Sequence, residues 1–198
     1  GYRNVSVDGY EADDVIATIA ERAREHGVPV VVVTGDRDIF QLIDPESRVK
    51  VLATGRGITD TTLYDHQAVI DRYGLPPALI PDFYGLKGDS SDNIPGVPGI
   101  GDKTAADLLQ RFGDLETVLA SVDEISGAKR KENLVAHADD ARLSKQLATI
   151  QRDVPRCRRW TTASSTSRSS STSITSWLRS PTGRGCGRSS GSSSCARR

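Results

Sequence analysis

Cysteine is missing from most of this 198-residue chain. Cys157, Cys186 and Cys195 all lie near the C-terminus, and no two stand in a CxxC pair. A disulfide framework and a thiolate zinc site are therefore excluded for residues 1–155, and a cytoplasmic compartment is the expectation. No apolar run approaches the roughly 18 residues of a membrane span, and the N-terminus lacks the basic–apolar–small pattern of a signal peptide, so no membrane partner is expected. The three histidines, His26, His66 and His137, form neither an HExxH motif nor a triad. There is no GxxxxGKS loop, and the spacing of Asp89 and Asp92 lacks the alternating ligands and the closing Glu of an EF-hand.

The formal net charge is also zero, but by cancellation. Residues 156–198 hold nine arginines and no Lys, Asp or Glu, which leaves 17 basic against 26 acidic residues in 1–155. This tail is rich in Ser, Thr, Arg and Gly, has no usable period, and cannot bury enough apolar surface to offset chain entropy. It is expected to be disordered and to pack against nothing. A basic nucleic-acid-binding tail is one reading of it. The abrupt loss of Asp, Glu and Lys after "RDVP" favours another, a GC-rich gene read out of frame.

The body is organised differently. "NVSV" (4–7) is compatible with the end of a strand. Ala12, Ile16, Ile19, Ala20 and Ala23 recur at helical spacing, with Gly27 as a stop. "VPVVVVTGD" (28–36) is a continuous β-branched run that reads as a strand buried on both faces, which favours a parallel sheet. "DRDIFQLI" (36–43) predicts a short helix, "RVKVLAT" (48–54) a further strand, and "GRG" a turn into a hairpin return at "GITD". After residue 64, "LYDHQAVIDRYG", "PPALIPDFYGLKG", "KTAADLLQRFG", "DLETVLASV" and "ARLSKQLATIQ" read as helices separated by Gly or Pro. The expected architecture is α/β: a parallel sheet followed by a helical subdomain.

Three acidic clusters stand out: Glu11, Asp13 and Asp14 in "YEADD", Asp36 and Asp38 in "TGDRD", and Asp89 and Asp92 in "GDSSD". Each alone has a structural explanation, as helix-dipole partner, N-cap or turn residue. Together they point elsewhere. Asp36 and Asp38 follow the C-terminal end of a strand, the edge where open parallel sheets build sites. The "YEADD" acids lie at a strand–helix junction on the same edge. Seven carboxylates gathered there would raise one another's pKa unless cations intervened. An all-oxygen donor set suits two Mg²⁺ or Mn²⁺ ions and phosphoryl transfer.

"GVPGIGDKTAADLL" has the form of a helix-hairpin-helix. Gly99, Ile100 and Gly101 make a glycine turn at a helix start, where bare backbone N–H groups can approach a phosphate. Lys103 and Thr104 can add contacts that position a duplex without reading its sequence.

Taken in order, "GYEADDVIATIA", "TGDRDIFQLI", "GLKGDSSDNIPGVPGIGDKTA" and "RFGDLETVL" resemble the 5′→3′ exonuclease domain of bacterial DNA polymerase I, of the flap-endonuclease family. The resemblance covers residues 1–155. It implies a PIN-like sheet, its metal-site part at 1–87, and a helix-hairpin-helix subdomain at 88–155. It implies that Glu11, Asp13 and Asp14 serve a first metal and Asp36, Asp38, Asp89 and Asp92 a second. Gly99, Ile100 and Gly101, with Lys103 and Thr104, would hold DNA, with K⁺ at the hairpin. The implied activity is hydrolysis of phosphodiesters at 5′ ends, flaps and duplex junctions by a monomer. The family's leading strand and basic arch are not in this chain, so an interior fragment of low activity is expected, belonging to a protein with a polymerase domain. The alternatives are a non-catalytic, sequence-independent DNA-binding module and a phosphatase-like hydrolase.

Overall fold

Helix α1 (Ala12–Glu25) opens the ordered elements and buries Val15, Ala17, Thr18 and Ala20, while Ile16 and Ile19 are only half-buried. It packs on β1 (Val30–Thr34) and on a 3₁₀ turn at Asp38–Leu42. Gly27 follows it at φ 70°, the left-handed region that ends a helix. The computed structural model describes residues 4–155 except Arg56, all within one compact unit. The expectation for the tail at 156–198 lies outside the described residues.

β1 pairs in parallel with β2 (Val49–Gly55), in the register Val30↔Val49 to Thr34↔Ala53. β3 (Gly57–Tyr64) returns antiparallel to β2, from Gly55↔Gly57 to Val51↔Tyr64, so the small sheet is mixed, in the order β1-β2-β3. Two expectations are corrected. "NVSV" forms no strand; its backbone enters a turn in which the Tyr10 amide donates to the Val7 carbonyl. Nor is β1 buried on both faces. Val32 is buried, but Val31 and Val33 are 57% and 62% exposed. Among the described residues β1 is an edge strand, covered on one face only. A β-branched run reads as doubly buried whether or not a second layer is present.

The remainder is helical: α2 (His66–Tyr73), α3 (Ile80–Lys87), α4 (Asp102–Phe112), α5 (Leu115–Ala120), α6 (Ala128–Ala136) and α7 (Ala138–Ala148). α6 was not foreseen, because "AKRKENLVA" buries only Leu134 and so carries almost no apolar stripe. α3 is the hub. Ile80 to Leu86 are all buried, against α4, α5 and α7. Its Asp82, 4% exposed, accepts from the Leu115 amide at 2.8 Å and from Lys145 Nζ at 2.7 Å, which ties three helices at one carboxylate.

A chain of rings joins sheet to helices. Tyr64 and Phe40 have centroids 4.5 Å apart, Phe40 and Tyr73 6.1 Å, Tyr73 and Phe83 5.6 Å, and Phe83 and Tyr84 5.6 Å. Each such pair adds about 0.5–1.5 kcal/mol beyond area burial. The series fixes Tyr84 against the ends of the strands.

Candidate metal centre and nucleic-acid interface

β1 ends at Thr34, whose hydroxyl accepts the Asp36 amide at 3.0 Å. Asp36 Oδ1 then accepts the Asp38 amide at 3.0 Å. This pair of local bonds turns the chain out of the sheet into the 3₁₀ turn. Asp36 therefore acts as a turn residue, and its second oxygen is left for other work. Across from it, the Asp89 and Ile94 backbones exchange two hydrogen bonds, of 2.9 and 2.7 Å. These close a loop whose tip carries Asp92. Asp89 Oδ1 accepts from the Ser91 amide at 2.8 Å and from the Ser91 hydroxyl. The two segments face each other across an open cavity of about 490 Å³ lined by Asp36, Arg37, Asp38, Tyr84, Lys87, Asp89, Ser91 and Asp92.

The electrostatics extend the cluster to α1. Burial lifts the Asp38 carboxyl to about 7, and the charges of Asp36, Asp89, Asp92 and Asp13 push the same way. Asp13 is raised by burial and by Asp36, Glu11, Asp14 and Asp92. Asp92 is raised by burial, Asp89 and Asp36. Three chain segments thus act on one another as a single acidic field. Asp14 faces differently: its Oδ2 accepts the Glu11 amide at 3.3 Å and its Oδ1 the Gln151 amide at 2.9 Å. Glu11 is exposed at the helix N-cap. Among the described residues no three carboxylates close on a common point that would hold a metal ion. The donor chemistry nevertheless fits hard divalent cations, which relieve this repulsion and favour carboxylate oxygen.

The loop from Gly88 to Gly101 joins α3 to α4. Gly88 and Gly96, at φ 77° and 61°, lie backbone to backbone. A Cβ on Gly96 would meet the Gly88 nitrogen at 2.2 Å. The Val97 amide donates to the Leu86 carbonyl at 2.8 Å, and Asn133 Nδ2 to the Pro98 carbonyl at 2.7 Å. Gly101 is different. A Cβ there would meet nothing within 4 Å and its φ is an ordinary −102°. It caps α4 without a side-chain hydrogen bond, leaving the helix N-terminus open to solvent. Ile100 is buried under the turn, Lys103 is exposed and Thr104 half-buried. The hairpin thus presents backbone, with a cation beside it.

Sequence reasoning passed over Tyr84, Arg37, Lys87 and Gln41. Arg37 sits inside the quoted "TGDRD" and Lys87 just before "GDSSD", so adjacency was the available signal. Gln41 is 4% exposed and bonded through both ends, a role with no pattern in one dimension.

The sheet carries an acidic cavity at its strand ends and leads through a glycine-rich loop into a helical subdomain. Two family profiles, 5′-3′ exonuclease N-terminal resolvase-like domain and 5′-3′ exonuclease C-terminal SAM fold, match residues 1–74 and 75–170. The chain belongs to the 5′-3′ exonuclease family. It is similar to DNA polymerase I of Bacillus caldotenax, 54% identical over 149 residues, and of Geobacillus stearothermophilus, 56% identical over 149 residues. Each match covers 75% of this chain and 17% of the relative, so the chain spans a small part of these proteins. Its fold resembles T5 5′-exonuclease with bound zinc, with a TM-score of 0.63 and 22% identity over 72% of this chain and 51% of that one. A complex of the bacteriophage T5 flap endonuclease with DNA and metal ions matches with the same score and identity, over 72% and 50%. The fold is accordingly PIN-like α/β with a C-terminal helical subdomain. Among the described residues no helix is long and apolar enough to cross a membrane.

Proposed function

We propose that this chain is the part of a divalent-metal-dependent 5′→3′ exonuclease and 5′-flap endonuclease that carries most of its acidic centre and its DNA-holding hairpin. It acts as a monomer in the cytoplasm, within a longer protein that has a polymerase domain. One observation supports this reading above others: acids from three separate segments share one electrostatic field at the strand ends. Glu11, Asp13 and Asp14 would hold one Mg²⁺ or Mn²⁺, and Asp36, Asp38, Asp89 and Asp92 a second. When bound, such ions supply Lewis-acid charge to phosphoryl oxygens.

The chain's own residues do the rest. Asp36 fixes the Asp38 turn, Tyr84 walls the cavity, and the loop closed at Asp89 and Ile94 sets Asp92 opposite. Gly99, Ile100 and Gly101, with Lys103 and Thr104, hold duplex backbone against the open start of α4, and K⁺ at the hairpin belongs to the same reading. The division into a metal-site part (1–87) and a hairpin part (88–155) is part of the proposal.

A second reading, a non-catalytic DNA-binding module, is favoured by the absence of a closed carboxylate cage among the described residues. A labelled 5′-flap duplex separates them. Release of a 5′ product that needs Mg²⁺ or Mn²⁺ and is lost in Asp38→Asn supports the nuclease. Binding without metal-dependent cleavage, also within the full-length protein, supports the module.

A further inference from the structure

A second cavity, of about 530 Å³, lies beside the acidic one and has the opposite character. Arg37, Arg72, Lys87 and Lys103 line it against Asp102 and Asp107. Four cations against two carboxylates make a positive pocket in a body where acids outnumber bases 26 to 17. Its floor is the end of the ring series, Tyr73, Phe83 and Tyr84. Arg37, Tyr84 and Lys87 also line the acidic cavity, so the two are neighbours.

Two of the cationic heads are held against aromatic rings. Arg72 Nη1 donates to the Tyr64 hydroxyl at 2.6 Å, and its guanidinium lies 5.5 Å from the Tyr73 ring centroid. Lys87 Nζ lies 5.5 and 5.4 Å from the Phe83 and Tyr84 centroids. Rings attract a cation through their quadrupole but carry no net charge, so the full positive charge stays available. One carboxylate does compete: Asp102 Oδ1 is 2.9 Å from Lys87 Nζ. That carboxylate is 70% exposed against 34% for the lysine, and a pair with one partner largely in solvent is screened and open to exchange.

We propose that this pocket is a phosphate subsite for the DNA strand entering or leaving the acidic cavity, and that Asp102 occupies Lys87 as an internal stand-in until a phosphate displaces it. Arg72 offers the planar fork that suits a phosphodiester. Lys103 connects the pocket to the hairpin, so one strand can lie on hairpin, pocket and acids in turn. The inference rests on the DNA reading above.

The test measures anisotropy of a labelled nicked duplex on the full chain in EDTA, across a salt series. Arg72→Ala and Lys87→Ala each weaken binding, roughly threefold, and each lowers the log–log salt slope by about 1. Arg72→Lys keeps the slope. Asp102→Asn moves the other way and tightens binding roughly threefold, a gain that misfolding cannot imitate. Unchanged affinity and slope in Arg72→Ala and Lys87→Ala, with wild type binding normally, overturns the subsite and leaves the DNA reading intact. No binding by wild type overturns the DNA reading itself. Tripolyphosphate is the competing arm. If it binds wild type as tightly as the duplex at equal ionic strength, and loses affinity in the same variants, the pocket serves free polyphosphate and the strand assignment is overturned.

Discussion

Gln41 Nε2 stands 2.9 Å from the carbonyl oxygen of Asp38 and equally 2.9 Å from that of Ala148. Its Oε1 accepts the Ile150 amide at 3.0 Å, and Arg152 Nη2 donates to the Gln41 carbonyl at 2.7 Å. The segment after α7 is thereby fastened to the turn that carries Asp38. It is fastened to α1 as well, through the Gln151 amide on Asp14 and the Val154 amide on Thr18 Oγ1.

Gln41→Leu keeps the volume and removes three hydrogen bonds to backbone groups. Leaving such groups unpaired costs about 2–4 kcal/mol in total. Urea denaturation should show this loss, with an unchanged m-value. A loss under about 0.5 kcal/mol would mean that water replaces the amide and that the fastening is incidental.

Asp38 predicts a pH dependence. Its folded-state pKa is raised, to about 7, so the folded chain takes up a proton more readily than the unfolded chain. The penalty is absent in acid, where both states are protonated. It grows above the ordinary carboxylate range and is complete above about pH 7. Solvent in the open cavity trims it to about 1–2 kcal/mol. Metal-free Asp38→Asn should therefore melt about 3–6 °C higher than wild type at pH 8, with the two converging toward pH 4. A variant that melts lower at pH 8 contradicts the assignment.

Two glycines five residues apart in the same loop should separate folding from binding. Gly96→Ala drives a methyl into the backbone of Gly88 at a left-handed φ, and stability should fall by about 3 kcal/mol or more. Gly101→Ala meets open space at an ordinary φ, so stability should fall only by the cost of a poorer N-cap, about 0.5–1 kcal/mol. If the hairpin holds phosphate as proposed, the added methyl should nevertheless weaken duplex binding. Calorimetric melting and anisotropy on the same two variants check both halves. Equal DNA affinity for Gly101→Ala and wild type would remove the hairpin from the interface.

The sequence carried the strand β2, the hairpin return and most helices, because each has a period or a stop that local chemistry imposes. It also carried the acidic segments, since "TGDRD" and "GDSSD" sit at a strand end and in a glycine-bounded loop. It did not carry the exposure of Val31 and Val33, which depends on what lies over the sheet. Nor did it carry the pairing of Asp82 with Lys145, 63 residues apart, or the meeting of Arg72 with Lys87 at one pocket. Those are products of tertiary packing with no local signature. Nor did it carry the link by which the oxygens of Asp14 accept the amides of Glu11 and Gln151, the latter 137 residues away.

Acids from α1, the β1 end and the Asp89–Ile94 loop are proposed to serve one shared centre for two cations. Titrating the isotopically labelled chain with Mn²⁺ and following paramagnetic broadening of its backbone NMR signals tests it most directly. The account predicts that signals around Asp13, Asp36, Asp38, Asp89 and Asp92 broaden together at low Mn²⁺, and that Asp38→Asn shifts the titration to higher Mn²⁺ for all of them at once. Broadening confined to one segment, or an unaltered titration in Asp38→Asn, would contradict it.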